Sequence, residues 1–205
     1  MSPVNTDLTL PVMEAFYTLQ GEGFHQGKAA YFIRLGGCDV GCVWCDVKES
    51  WDAAAHPKKT IGEIVEAAAL TPGRIAVVTG GEPLMHNLDA LTTALKNSGF
   101  STNIETSGAY PVSGNWDWIC LSPKKFRMPL PGVLPLADEL KIIVYNKTDF
   151  DWAEKFAALV SPGCKLYLQP EWSKSKTVTP LITEYIKNHP QWEFSLQLHK
   201  YINMP

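Results

Sequence analysis

No stretch of this 205-residue chain approaches the roughly 18 consecutive apolar residues that suggest a membrane-spanning helix. Residues Met1 to Asp7 carry no basic region leading into an apolar core, so the chain reads as cytoplasmic, with no membrane partner. A basic surplus is also missing. The 18 Lys and Arg against 21 Asp and Glu leave a net charge of −3, which offers no field to hold a nucleic-acid backbone. No run of like charge marks a tail. Cysteine is scarce and odd in number: of five, three crowd into eight positions, a spacing poorly suited to pairing with one another, and in a reducing compartment this favours metal over disulfide. With no repeat, linker or low-complexity segment, residues 1–205 read as a single domain. Its 45% hydrophobic content is enough to bury a core without disulfide staples.

What is present alternates between strand and helix. The apolar runs Ala29 to Leu35 and Ile75 to Thr79 each end in Gly-Gly and read as buried strands emptying into functional loops. Between them, Ile61, Ile64, Val65 and Ala68 recur at helical spacing behind a Thr60–Glu63 capping box. Asn87 is placed to cap a helix carrying Leu88, Leu91 and Leu95 and stopped by Gly99. Strands are expected over Ser101–Glu105, Trp118–Leu121, Leu140–Tyr145, Lys165–Gln169 and Phe194–Leu198. Helices are expected over Asp149–Leu159 and from Pro180, with Thr179 as its cap. This is an α/β pattern with a mainly parallel sheet, but Gly108 to Glu139 is poor in helix and the chain is too short for a closed eight-fold barrel of ~250 residues. A partial, open barrel is expected, with functional groups at the C-terminal ends of its strands.

Cys38, Cys42 and Cys45 lie on one tight loop containing Gly41 and Trp44. Thiolates are soft ligands suited to iron–sulfur clusters, zinc or copper(I). A structural zinc site needs a fourth ligand, and Cys120, Cys164 and the histidines form no second tight pair. Three ligands on a four-iron cluster instead leave one iron open for chemistry. Colour separates the two readings, since a zinc-stabilised binding module is colourless.

Further polar groups fall just past strands: Thr79-Gly80-Gly81-Glu82-Pro83, Glu105-Thr106-Ser107-Gly108, Leu121-Ser122-Pro123-Lys124 and Leu168-Gln169-Pro170. Each alone reads as a turn, but the two glycines of the first let backbone approach a ligand closely beside a carboxylate, and the other three, on one rim, suggest a ribose and adenine pocket. Arg34 stands inside an apolar strand, where a surface ion pair is the less natural reading. Glu14 to Phe24 reads as a polar, Gly-rich loop able to act as a lid.

The C-x-x-x-C-x-x-C loop after a strand, with Trp44 before its last cysteine, resembles the signature of radical S-adenosylmethionine (SAM) enzymes, and Gly80-Gly81-Glu82-Pro83 resembles their GGEP motif. The resemblance implies a 4Fe-4S cluster whose open iron chelates the methionine moiety of SAM, cleaved by one electron to a 5'-deoxyadenosyl radical. It implies SAM contacts at Trp44, Gly80, Gly81, Glu82, Ser122, Pro123, Lys124 and Gln169.

The segments F-x-T-L-Q-G-E-G (Phe16 to Gly23), F-I-R-L-x-G-C (Phe32 to Cys38), W-C-D, IETSG, LSPK, LQP and the closing LHKY resemble the 7-carboxy-7-deazaguanine synthase family. The similarity runs from about Glu14 to the terminus. It implies conversion of 6-carboxy-5,6,7,8-tetrahydropterin to 7-carboxy-7-deazaguanine with loss of ammonia, in the 7-deazapurine pathway that includes queuosine. Hydrogen is taken from C6 of the pterin and later returned to SAM. Leu19, Gln20, Gly21 and Glu22 would hold the pterin, Arg34 its carboxylate, Thr79 and His199 would also face it, and the carboxylate of Pro205 would fold back onto it. A homodimer and an electron donor such as flavodoxin are further implications. The family usually has threonine after W-C-D, where its hydroxyl helps hold Mg2+. Here the residue is Val47, which offers no oxygen. The ion is then left to bind through Asp46, water or the substrate, or to be replaced by another interaction. The alternative enzyme is a radical activase acting on a partner protein, which would leave the QGEG loop and HKY tail without purpose.

Overall fold

The computed structural model describes residues 4–204. Nine strands form one sheet in the order β3-β1-β2-β4-β5-β6-β7-β8-β9. They are β1 (Thr9–Leu19), β2 (Ala29–Leu35), β3 (Lys58–Thr60), β4 (Ile75–Gly80), β5 (Ser101–Thr106), β6 (Trp118–Leu121), β7 (Glu139–Val144), β8 (Lys165–Pro170) and β9 (Trp192–Phe194). From β2 to β9 every pairing is parallel, whereas β1 runs antiparallel to both β2 and β3. The sheet is open, as the helix count requires.

The helices are α1 (Ile61–Ala69), α2 (Asp89–Asn97), α3 (Thr148–Ala157), α4 (Ser175–Asn188) and the short α5 (Leu198–Ile202). The capping box on α1 is present: Glu63 N–H donates to Thr60 Oγ1 at 3.2 Å and Thr60 N–H to Glu63 Oε2 at 2.7 Å. Period-2 alternation gives the strands two unlike faces. Tyr31, Ile33 and Leu35 of β2, Ala76 and Val78 of β4 and Ile104 of β5 join one apolar core with α1 and α2. Leu140, Ile142 and Val144 of β7 and Leu168 of β8 join a second with α3 and α4. The residues between them point the other way. Arg34, Thr79, Glu105, Lys141 and Gln169 all reach the inner, concave side and line a cavity there.

Several elements depart from the sequence reading. Of the segment Glu14 to Phe24 read as a loop, Glu14 to Leu19 is the second half of β1, with a register irregularity between Val12 and Glu14 that hides its period of two, while Gln20 to Phe24 is the loop expected. Asn87 bonds the start of α2 from two residues before it, with Leu88 at the cap position, its Oδ1 accepting from Asp89 N–H at 3.0 Å. Helix α4 begins at Ser175 rather than Pro180: Glu171 accepts the N–H groups of Ser173 and Lys174, starting a turn that runs on into it. Pro180 forfeits one intrahelical bond, offset by the burial of Val178 and Ile182 beside it. The last strand stops at Phe194, because Ser195 turns inward to bond Gln169 (2.7 Å) and the chain leaves the sheet.

Candidate functional site

Two chain crossings shape the thiol end of the cavity. Beyond β2, Gly37 N–H donates to Ser50 O (2.7 Å) and Cys38 N–H to Trp51 O (3.1 Å), so the cysteine loop leaves and returns at one point. Beyond β4, Gly81 N–H donates to Leu35 O (3.0 Å) and Glu82 N–H to Gly37 O (2.8 Å), laying the second loop across the first. The backbones lie so close that a Cβ on Gly81 would collide with the Gly37 carbonyl oxygen. Glu82 is 1% exposed, and its carboxylate accepts from Leu84 N–H, Thr106 Oγ1, Ser107 N–H and Ser107 Oγ. Four donors fill a carboxylate's capacity. What this loop offers a ligand is therefore backbone, and Glu82 buckles it to the end of β5.

Cys38, Cys42 and Cys45 are unpaired and line the cavity together, with Trp44, Gly80 and Gly81 around them. Burial pushes the Cys38 thiol up and the Cys42 thiol up to about 11. Iron reverses that cost, because a bound cation favours the thiolate. Neither Cys120 nor Cys164 lines the cavity. Among the described residues a tetrahedral zinc site closed by four thiols is therefore not assembled. Three thiols without a fourth protein ligand fit a 4Fe-4S cluster with one open iron.

Ser122, Lys124 and Gln169 also line the wall, whereas Pro123 is buried behind it. Lys124 Nζ donates to Ser122 Oγ at 2.7 Å and sits 5.3 Å from the centre of the Trp44 ring. Gln169 accepts from Ser195 Oγ, which itself accepts from Gly23 N–H at 3.0 Å.

The opposite end is charged and buried. Lys141, only 5% exposed, is ion-paired with Glu22 and lies 3.8 Å from Glu105. Gln20 Nε2 donates to Glu105 Oε1 and Thr79 Oγ1 to Glu105 Oε2, both at 3.1 Å. Gln197 Nε2 donates to Glu22 Oε1 at 3.1 Å. Burial alone would raise Glu22, but the Lys141 ammonium, with hydrogen bonds from Lys141 and Gln197, holds its carboxyl down at about 2. Burial would likewise lower Lys141, yet the Glu105 and Glu22 carboxylates raise it well above its ordinary value. Lys141 and Gln197 escaped the sequence reading. The available signal was a lysine inside the apolar run of β7, the same anomaly that drew attention to Arg34.

Arg34 itself does form an ion pair: its Nε lies 2.6 Å from Glu14 Oε1 across the β1–β2 ladder. That pair engages Nε and does not use the guanidinium's Nη atoms, and Arg34 still lines the cavity. The C-terminal segment docks onto the β1–β2 loop. Leu198 N–H donates to Gly21 O at 2.9 Å, and His199 packs so tightly on Gly21 that a Cβ there would meet its ring. Burial lowers the His199 pKa from its ordinary 6.5. Met204 N–H caps the turn on His199 O at 3.1 Å, while Pro205 lies outside the described residues. Leu19, Gln20, Gly21, Glu22, Thr79 and His199 thus share one wall of a cavity of about 370 Å3 that also holds the thiols.

Asp46, the candidate Mg2+ ligand, is engaged instead by Lys200 Nζ at 2.9 Å, and Val47 beside it has no oxygen in its side chain. This donor set does not fit a divalent ion.

Comparison with known proteins agrees with the geometry. Residues 32–120 match the Radical SAM superfamily. The chain is 57% identical over 196 residues to a 7-carboxy-7-deazaguanine synthase of Flavobacterium psychrophilum, covering 96% of this chain and 93% of that protein. It is 50% identical to the synthase of that name from Synechocystis sp., covering 100% and 99%. The crystal structure of QueE from Escherichia coli superposes with a TM-score of 0.84 at 32% identity, covering 93% of this chain and 95% of that one.

Proposed function

Because the chain belongs to the 7-carboxy-7-deazaguanine synthase family of radical SAM enzymes, we propose that its cavity converts 6-carboxy-5,6,7,8-tetrahydropterin to 7-carboxy-7-deazaguanine with loss of ammonia. The observation that carries this reading is that three thiols and a buried charged wall open onto one cavity. When bound, the 4Fe-4S cluster and SAM supply a carbon-centred radical. Everything else falls to the chain's own residues.

Cys38, Cys42 and Cys45 hold the cluster. The backbone of Gly80 and Gly81, braced by Glu82, would hold SAM together with Trp44, Ser122, Lys124 and Gln169, which line the same cavity, and Pro123 sets the course of the loop from behind. Leu19, Gln20, Gly21 and Glu22 lie along the pterin, with Thr79 and His199 also facing it. The ring edge of a pterin carries N–H donors, and a wall rich in carboxylate and amide oxygen accepts them. Arg34 suits the carboxylate because a guanidinium presents donors in a fork. The terminal carboxylate of Pro205 joins it, a role that rests on the family resemblance. Together these residues would orient the pterin within the cavity and exclude water.

Residues 1–205 act as one domain, in a reducing cytoplasm where five unpaired thiols persist. The chain acts as a homodimer, again by family resemblance. The electron comes from a small donor such as flavodoxin; Gly41 and Val43 expose the cysteine loop to its approach. No helix among the described residues is long and apolar enough to cross a membrane.

The test is anaerobic incubation of the cluster-loaded protein with SAM, reductant and the carboxypterin. The deazaguanine product and ammonia should appear in equal amounts. A loaded cluster that cleaves SAM yet yields no product would overturn the assignment.

A further inference from the structure

The wall formed by Asp46 and Val47 already contains a cation. Lys200 enters from α5, and that helix is fixed by the Leu198–Gly21 bond and by His199 packed on Gly21. Its ammonium is held on two sides, by Asp46 Oδ2 at 2.9 Å and by the Trp172 ring, whose centre lies 5.1 Å away. The Lys200 side chain is 20% exposed and Asp46 58%, so the lysine is the sheltered partner of the pair. Asp46, Val47, Lys200 and Arg34 all line the cavity.

The side-chain oxygens that line this wall are largely committed to protein partners. Asp46 Oδ2 is taken by Lys200, and the Glu171 carboxylate accepts from Ser173 N–H, Ser173 Oγ and Lys174 N–H. Val47 supplies nothing. A dication placed on Asp46 would also have to displace, or sit against, a fixed positive charge.

We propose that the Lys200 ammonium takes the place of a divalent ion at this wall, so that the substrate carboxylate is neutralised by Lys200 and Arg34 and turnover needs no Mg2+. The proposal rests on the carboxypterin reading given above. A lysine can serve here because one carboxylate needs one nearby positive charge, and an ammonium has three donors to divide between Asp46 and the ligand. It also ties carboxylate binding to docking of the C-terminal helix, since the cation arrives with that helix.

The experiment uses cluster-loaded protein in buffers freed of divalent ions, with product formation and equilibrium binding both measured as MgCl2 is added back. The wild type should show kcat and KM unchanged by Mg2+. Lys200→Met should weaken carboxypterin binding about ten- to hundredfold, the loss expected for a hydrogen bond to a charged group. Its affinity for the tetrahydropterin lacking the 6-carboxylate should stay the same. Lys200→Arg should restore most of the lost affinity, and the pair Lys200→Met with Val47→Thr should bind the carboxypterin better when Mg2+ is added. Product formed only with Mg2+ would overturn the proposal while leaving the carboxypterin reading intact. So would equal weakening of both pterins by Lys200→Met, which marks a merely structural lysine. No product with or without Mg2+, from a cluster that still cleaves SAM, would remove both.

Discussion

At the thiol end of the cavity, backbone does the positioning. The cysteine loop and the Gly80-Gly81 loop cross through main-chain hydrogen bonds, and the carboxylate among them, Glu82, is saturated by its own neighbours. At the other end, side chains do it. Glu22, Glu105 and Lys141 form a charge network around the buried Lys141 that Gln20, Thr79 and Gln197 join, leaving carboxylate lone pairs for a ligand. A backbone site is indifferent to most substituents of its ligand and suits a cofactor shared by many enzymes. A side-chain network reads the donors and charges of one substrate, which is where specificity is built.

The largest effect should come from removing the chemistry at the thiol end. Cys42→Ala should abolish product and the brown colour of the cluster while leaving the urea unfolding of the cluster-free protein nearly unchanged; a variant that kept its colour would break the assignment of that end. Lys141→Met should do the reverse. Leaving the Glu22 and Glu105 carboxylates, 15% and 25% exposed, without the buried Lys141 ammonium should cost about 3 kcal/mol of stability, the low end for a buried pair, read by urea denaturation with the cluster still able to assemble. Unchanged stability would mean that the charged wall is not the single buried unit described. Gly81→Ala forces a Cβ against the Gly37 carbonyl and should cost about 1–3 kcal/mol, together with SAM affinity measured by equilibrium dialysis.

A smaller effect is expected from pH. His199 has a lowered pKa when docked, with burial as the main cause, partly opposed by the attraction of Glu22, Asp46 and Glu105 and reinforced by the repulsion of Lys200. Its neutral form is therefore favoured by docking. That contribution is fully present above the free value of 6.5 and is lost as pH falls below it through the docked value. Carboxypterin KM should rise as pH drops through this range, and His199→Gln should flatten the rise. Thr60→Ala, in the capping box of α1 and away from both ends, should lower stability by about 1 kcal/mol and leave KM for both ligands alone.

The two ends were also unequally legible in the sequence. Closely spaced cysteines and paired glycines are local, so the thiol end was readable from Cys38 to Cys45 and at Gly80-Gly81 without knowing the fold. The parallel sheet was legible as well, because buried strands read as apolar runs. At the charged end the Q-G-E-G resemblance marked Gln20 and Glu22, but Lys141 and Gln197 went unread, since Glu22, Glu105, Lys141 and Gln197 meet only when β1, β5, β7 and the chain after β9 come together. Their chemistry is a product of topology. The second half of β1 was hidden for a related reason: with partly exposed residues and a shifted register it shows no clean alternation. The Lys200–Asp46 pair spans 154 positions, beyond any local signal.

The account's central claim is that the two ends meet on one substrate, with the pterin C6 beside the carbon activated at the thiol end. Turnover with carboxypterin deuterated at C6 tests this most directly, by mass analysis of the SAM recovered during catalysis. Deuterium should pass from C6 into the recovered SAM in step with product formation. Product that accumulates while SAM stays free of label would contradict it.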